Sequence, residues 1–254
     1  GTRENVTAAA YSNSYLLRSS GYGYGEGGAG LEAQVENRYV NVKFYYPLSQ
    51  KSWSVAPVDS NTVVNYRMIE DIRLGAKEMD LAAQTRFTNA TLLGEFDGGG
   101  HTLDFAGVPA QAYFFYEIGA GAVMKDVRVE NLTLGRTAGT GSDIYVGLIR
   151  RASDNASLRG IHMENVSLQN AYQYAGCLAA YVQNVQIKDC TVAGAEITSS
   201  ASAYELYVGG LVGGSASGSN VSIYNSFVRD LDMRLTQGSS VAGAGGIIGY
   251  MYLG

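Results

Sequence analysis

Laying the segment MKDVRVENLTL (124–134) over LRGIHMENVSL (158–168) places Glu130 on Glu164. Strands stacked one above another lie about 4.8 Å apart, and two carboxyl groups about 5 Å apart are the signature of a retaining glycosidase. The same overlay gathers Lys125, Arg159 and Lys188 into one outward column and Arg128 with His162 into another, a frame for an anionic sugar. The competing reading is a solvated face on which charges of both signs sit side by side. We adopt the second, because the glutamate column continues as Ala193 and Arg229 and nothing beside it marks a cleft that would shift a pKa. No catalytic residue is assigned.

Metal and nucleophile chemistry find less support. His101 and His162 are the two histidines, and HMENV is not the HExxH of a zinc peptidase. His101, in DGGGHTL, reads as a structural corner residue that hydrogen-bonds the glycine turn. Carboxylates do not converge as a calcium site needs. Cys177 and Cys190 lack CxxC spacing and are too few for a disulfide framework, so they read as small buried apolar residues. GYGYGEGG (21–28) has neither the strand and helix nor the lysine of a phosphate-binding loop, and reads as a flexible loop. The expectation is no cofactor and no metal. Sequons begin at Asn5, Asn89, Asn131, Asn155, Asn165 and Asn220. Those at Asn131 and Asn165 arise from the repeat described below.

Tyrosine is the more informative surface residue. Tyr174 and Tyr207 each stand four residues before the leucine of their own repeat (Leu178 and Leu211), with Tyr145 close by on the preceding one. Stacked, the three would form a ladder of flat amphipathic rings able to bind glycan or protein. The plainer role, covering loop backbone and sheet edge, has the greater weight of precedent.

The elements that would position these residues follow from composition and repeats. Of 254 residues, 46% are apolar and 16% charged, so the chain can bury a core. Glycine (33) is plentiful, proline (3) is scarce, and tyrosine exceeds phenylalanine 19 to 7, which favours an all-β protein with many corners. A net charge of -5 and the lack of a basic run argue against nucleic-acid binding. No apolar stretch reaches the roughly 20 residues of a membrane span.

Four segments align without gaps: 124–134, 158–168, 187–197 and 223–233, with starts 34, 29 and 36 residues apart. Within each, strand-like alternation slips twice. The first slip falls at Asp126, Gly160, Asp189 and Asn225, the second at Asn131, Asn165, Gly194 and Asp230. All eight are residue types that tolerate positive φ, so each slip is a corner. A second signature precedes each segment: YVGLI, GCLAA, VGGLVG and AGGIIG place Leu148, Leu178, Leu211 and Ile247 one repeat apart, with Phe115 one interval earlier. One short strand and two strands joined by a corner make a closed turn. Stacked turns make a right-handed parallel β-helix, a solenoid in which no single turn could bury a core. The rival, a sandwich of hairpins, lacks Asn-Gly turns.

YRMIEDIRLGA (66–76), LLGEFDGGGHTLDFAG (92–107) and FFYEIGAGAVMKDVRVENLTL (114–134), followed by VGGLVG and AGGIIGY, resemble GLUG-type bacterial β-helix repeats over roughly residues 62–254. The pattern is also similar to the non-catalytic β-helix region of streptococcal immunoglobulin A1-cleaving zinc peptidases. The resemblance implies a right-handed β-helix and an extracellular or cell-surface location. Residues 1–61, with RYVNVKFYYP (38–47), read as a small N-terminal β subdomain or cap, and 62–254 as the β-helix, continuing in the native polypeptide. The functional expectation is a non-catalytic scaffold and adhesion surface for host glycan or host protein. The alternatives are an accessory region of a secreted zinc endopeptidase and a carbohydrate-active enzyme.

Overall fold

The computed structural model describes residues 31–35, 38–58, 62–75, 87–135, 144–199, 205–236 and 242–252. Its larger sheet is a stack of parallel strands. Tyr46–Leu48 pairs with Tyr66–Met68, then come Glu95–Asp97, Val123–Gly135 and Ser157–Ala171. Above Ser157–Ala171 the ladder continues as two strands per turn, Val185–Lys188 pairing with Val221–Tyr224 and Thr191–Ser199 with Phe227–Arg234. A second parallel sheet closes each turn, running from Tyr113–Ile118 through Tyr145–Ala152 to strands of the last three repeats. The architecture is a parallel β-solenoid, with almost no helix among the described residues. Outside it, Leu31–Val35 pairs antiparallel with Arg38–Val42. Tyr46–Leu48 is already a rung of the solenoid sheet. The glycine-tyrosine loop at 19–30, like the rest of 1–30, lies outside the described residues.

The alternation slips have a backbone cause. Asp126, Asn131, Gly160, Asn165, Asp189, Gly194, Asn225 and Asp230 all have φ between 50° and 65°. In this left-handed region an L-residue with a Cβ meets the following carbonyl, a cost that glycine escapes and that Asn and Asp offset by local hydrogen bonding. Each such residue bends the strand and returns the next apolar side chain to the inside. The bends also superpose, since Glu130 pairs with Glu164 and Leu132 with Val166 on either side of Asn131 and Asn165. Asn131 Nδ2 donates to Asp104 Oδ1 at 2.8 Å and Asn165 Nδ2 to Asn131 Oδ1 at 3.3 Å, a polar ladder climbing one corner. Val123–Gly135 and Ser157–Ala171 are continuous strands through both corners, whereas the two later turns break at Asp189 and Asn225 and run on only through the second corner.

One register differs from expectation. Phe115 pairs with Ile149, so Phe114 and not Phe115 underlies Leu148. In Tyr113–Ile118 the first three residues are all buried, so apolar character does not alternate there and cannot set the register.

The core fills the bore. One end is aromatic: Trp53, Tyr66, Phe87, Phe96, Phe105, Phe114 and Phe115 are buried, with ring centroids between 4.8 and 6.5 Å apart. Further along it becomes aliphatic, with Val127, Leu132, Leu148, Ile161, Leu178 and Ile187 fully enclosed. Cys177 and Cys190 are free and buried, and desolvation pushes their thiols up to about 12 and about 11.

Gly176, Gly209 and Gly245, the leading glycines of the GCLA, GGLV and GGII stretches, occupy a seam where two runs of strand approach backbone to backbone. Gly147, Gly176, Gly209 and Gly245 stack in one column. A Cβ on Gly176 would lie 2.4 Å from Ala179 O and from Gly213 N, and one on Gly209 only 1.9 Å from Val212 O. Such overlaps are excluded at van der Waals contact, so glycine here supplies thinness rather than flexibility.

Candidate functional site

The tyrosines singled out from the sequence do come together. Tyr145 pairs with Tyr174 and Tyr174 with Tyr207 along successive turns. Their rings stack, with centroids 5.5 Å apart and planes 17° apart for the first pair, then 5.3 Å and 30° for the second. The ladder reaches further than the sequence suggested. Tyr250 packs on Tyr207 at 4.5 Å, Tyr252 meets Tyr250 edge-on at 5.7 Å, and Tyr181 stands edge-on to both Tyr145 (5.8 Å) and Tyr174 (5.0 Å).

Glycine makes room for these rings. Tyr181, Gly214 and Tyr250 share a column on the facing strands. A Cβ on Gly214 would come within 2.8 Å of Tyr174 Cδ1, so the Tyr174 ring lies in the space that this glycine vacates. Tyr181 and Tyr250 escaped the sequence reading because they follow the leucine of their repeat instead of preceding it. Their fixed distance of three residues beyond Leu178 and Ile247 was the available signal.

At the Tyr145 end the ladder closes on a cation. The Arg150 guanidinium carbon sits 4.7 Å from the Tyr145 ring centroid, 4.8 Å from Tyr116 and 5.7 Å from Tyr113. This is the arrangement in which a ring quadrupole attracts a cation. Beside it Arg151 Nη2 donates to Gln183 Oε1 at 2.8 Å, and its Nε lies 3.7 Å from Glu117 Oε1. The polar rim continues where Gln173 donates to Glu205 at 3.3 Å. Tyr207 is buried, whereas Tyr145, Tyr174, Tyr181 and Tyr250 are half-buried. Burial raises the Tyr174 phenol to about 12, helped by its tyrosine neighbours, and pushes Tyr181 and Tyr207 up as well. Ring faces are largely engaged with one another. What the ladder offers outward is a row of ring edges and neutral hydroxyls, each able to donate and accept a hydrogen bond.

The other candidates have clear positions. Glu130 pairs with Glu164, and Arg128 with His162, as the repeat alignment requires. Lys125 pairs with Arg159, and Arg159 with Lys188, but Lys125 is drawn away from that column. Its Nζ lies 2.7 Å from Glu95 Oε1 and 3.5 Å from Asp97 Oδ2, so it does not join an outward anion frame. His101 hydrogen-bonds the glycine turn through its backbone, its N–H donating to Gly98 O at 2.9 Å, while its side-chain Nδ1 lies 3.3 Å from Asp71 Oδ1 on the preceding turn. Among the described residues no three His, Cys, Asp or Glu side chains are grouped to hold a metal ion, and no helix is long and apolar enough to cross a membrane.

Sequence reasoning missed the charged knot under the N-terminal segment. Glu95 and Asp97 are both buried, although they sit on the outer side of their strand. Lys43 Nζ reaches Glu95 Oε2 at 2.6 Å and Tyr45 donates to Glu95 Oε1 at 2.7 Å. Burial alone would raise the Glu95 carboxyl. Hydrogen bonds from Lys125, Lys43 and Tyr45 outweigh it and hold the group at about 2. The knot ties residues 43–45 onto the solenoid wall.

No protein-family model and no curated protein matches the chain. A similar solved structure is the crystal structure of a candidate immunoglobulin A1 protease from Bacteroides ovatus. It is 12% identical with a TM-score of 0.37, and the match covers 83% of this chain and 84% of that one.

Proposed function

We propose that this chain is a non-catalytic, extracellular segment of a larger bacterial cell-surface or secreted protein. In this reading it is a rigid scaffold of GLUG-type turns whose tyrosine edge recognises host glycan or host protein. The observation that carries the proposal is the ladder itself. Three tyrosines on consecutive turns stack at 5.3–5.5 Å, and glycine is placed on the facing strand to admit them. A merely protective cover would not need rings in register. A recognition surface gains from identical groups held at fixed spacing, since each further contact is intramolecular once the first has formed. The support for GLUG-type turns is physical, since Gly209, Gly210 and Gly213 of GGLVG and Gly245 and Gly249 of GGIIG lie at the seam where a Cβ has no space.

The test is binding of the intact chain to glycan and extracellular-protein arrays, followed by Tyr174→Ala and Tyr181→Ala with folding checked by circular dichroism. A central aromatic anchor contributes about 2 kcal/mol or more, so affinity should fall roughly 30-fold. Unchanged affinity in folded variants removes the ladder as the recognition surface. Absence of any binder removes the recognition role.

A further inference from the structure

We propose that the ladder is also a site of oxidative cross-linking, at which neighbouring tyrosines couple into dityrosine and fasten one turn of the solenoid to the next. The chemistry asks for two phenols whose rings meet while held still. Tyr207 and Tyr250 have centroids 4.5 Å apart, Tyr174 and Tyr207 5.3 Å, and Tyr145 and Tyr174 5.5 Å. Each pair joins residues on consecutive turns, fixed by parallel strand pairing at Tyr145–Tyr174 and Tyr174–Tyr207. In solution such an encounter is bimolecular and rare. Here the geometry is supplied in advance, which is how positioning accelerates a coupling step.

The step balances with a peroxide as the oxidant. One-electron oxidation of each phenol, with loss of its proton, gives two phenoxyl radicals. The radicals join through ring carbons ortho to oxygen, one new C–C bond forms, and the two ortho hydrogens leave as protons while the hydroxyls are restored. Overall two C–H bonds are lost and one peroxide is reduced to two waters. Entry of the oxidising equivalent is also provided for. Tyr252 is 50% exposed and its ring centroid lies 5.7 Å from that of Tyr250, so a hole formed at the surface passes through Tyr250 to the buried Tyr207. The thiols do not compete from the surface, because Cys177 and Cys190 are both fully buried. The cross-link requires no partner and is independent of the recognition role proposed above.

The experiment treats the intact chain with a peroxidase and hydrogen peroxide, isolates the monomer, digests it with trypsin and sequences the products by tandem mass spectrometry. Cleavage at Arg159, Lys188, Arg229 and Arg234 separates the peptides that carry Tyr174, Tyr207 and Tyr250. The expected result is monomer lighter by two hydrogens per link. It contains the 160–188 peptide joined to 189–229 through Tyr174 and Tyr207, or the latter joined through Tyr207 to the peptide holding Tyr250. Tyr207→Phe keeps the ring packing, removes both of these links and leaves Tyr145–Tyr174 coupling intact. Consumption of exposed Tyr224 and Tyr252 with the ladder unmodified overturns the proposal. So does coupling that occurs only between molecules, or links from the 189–229 peptide to those carrying Tyr174 or Tyr250 that persist unchanged in Tyr207→Phe.

Discussion

Three glycines separate the two reasons a solenoid needs this residue. Gly209 lies at the seam with an ordinary φ, and an added Cβ would meet Val212 O at 1.9 Å, Gly249 N at 2.7 Å and Ile247 O at 2.8 Å. Gly218 has φ +64° but open space around it, and Gly246 has neither constraint. Ordinary contact begins at 3.4 Å, and the three atoms opposing Gly209 are backbone held in two sheet ladders, so no side chain can swing away. Overpacking typically costs about 1–3 kcal/mol, and rigid surroundings place Gly209→Ala at the upper end, about 3 kcal/mol. Gly218→Ala has only the left-handed backbone to oppose it, about 1 kcal/mol, and Gly246→Ala should stay within about 0.5 kcal/mol of the parent. At roughly 2–4 °C per kcal/mol for a chain of this size, melting temperatures should fall by about 6–12 °C, 2–4 °C and 1–2 °C at most. Thermal and urea unfolding followed by far-ultraviolet circular dichroism measures all three, with urea slopes confirming that the same surface is exposed. A Gly209→Ala protein as stable as the parent, or more stable than Gly218→Ala, would refute the seam as the reason for the repeated glycine.

Two further outcomes follow from the polar groups. Glu95 has its carboxyl held at about 2 against an ordinary 4.5, so it stabilises the fold at every pH above its unfolded value. That contribution, on the order of 2–3 kcal/mol, should disappear as pH falls from about 4.5 to about 2, and urea midpoints of the parent should drop across that window more steeply than those of Glu95→Gln. At the corner, Asn165→Ala should cost about 1–2 kcal/mol and Asn165→Gly less, because Asn165 has φ 55°. Equal urea midpoints for Asn165→Ala and the parent would show that the bend needs no permissive residue.

The solenoid was legible because its repeat writes the same physical demand several times over. A bend that returns the next apolar side chain inward requires positive φ, few residue types accept it, and all eight slips carry one of them. Which corners interrupt a strand was less visible, since Asp189 and Asn225 break theirs while Asp126 and Gly160, at the same place in the repeat, do not. Phe114 and Phe115 mark another limit: two adjacent buried aromatics leave the register open, and only strand pairing closes it.

The candidate site divides in the same manner. Tyr145, Tyr174 and Tyr207 share a position in the repeat, so stacking brought them together as their spacing required. Tyr250 and Tyr181 come from other positions, and their approach depends on two strand runs of one turn meeting across a glycine seam, while Arg150 reaches Tyr145 from further along the same strand. The Glu95 knot joins residues 43–45 to 95–97 and 125 outside any repeat, so no periodicity announces it. By itself, then, the sequence determined what recurs once per turn: the corners, the inward columns and the three-tyrosine stack. Only the tertiary structure decided what those columns face, because contacts between strand runs outside the repeat register depend on how closely two backbones approach, and one-dimensional spacing does not contain that distance.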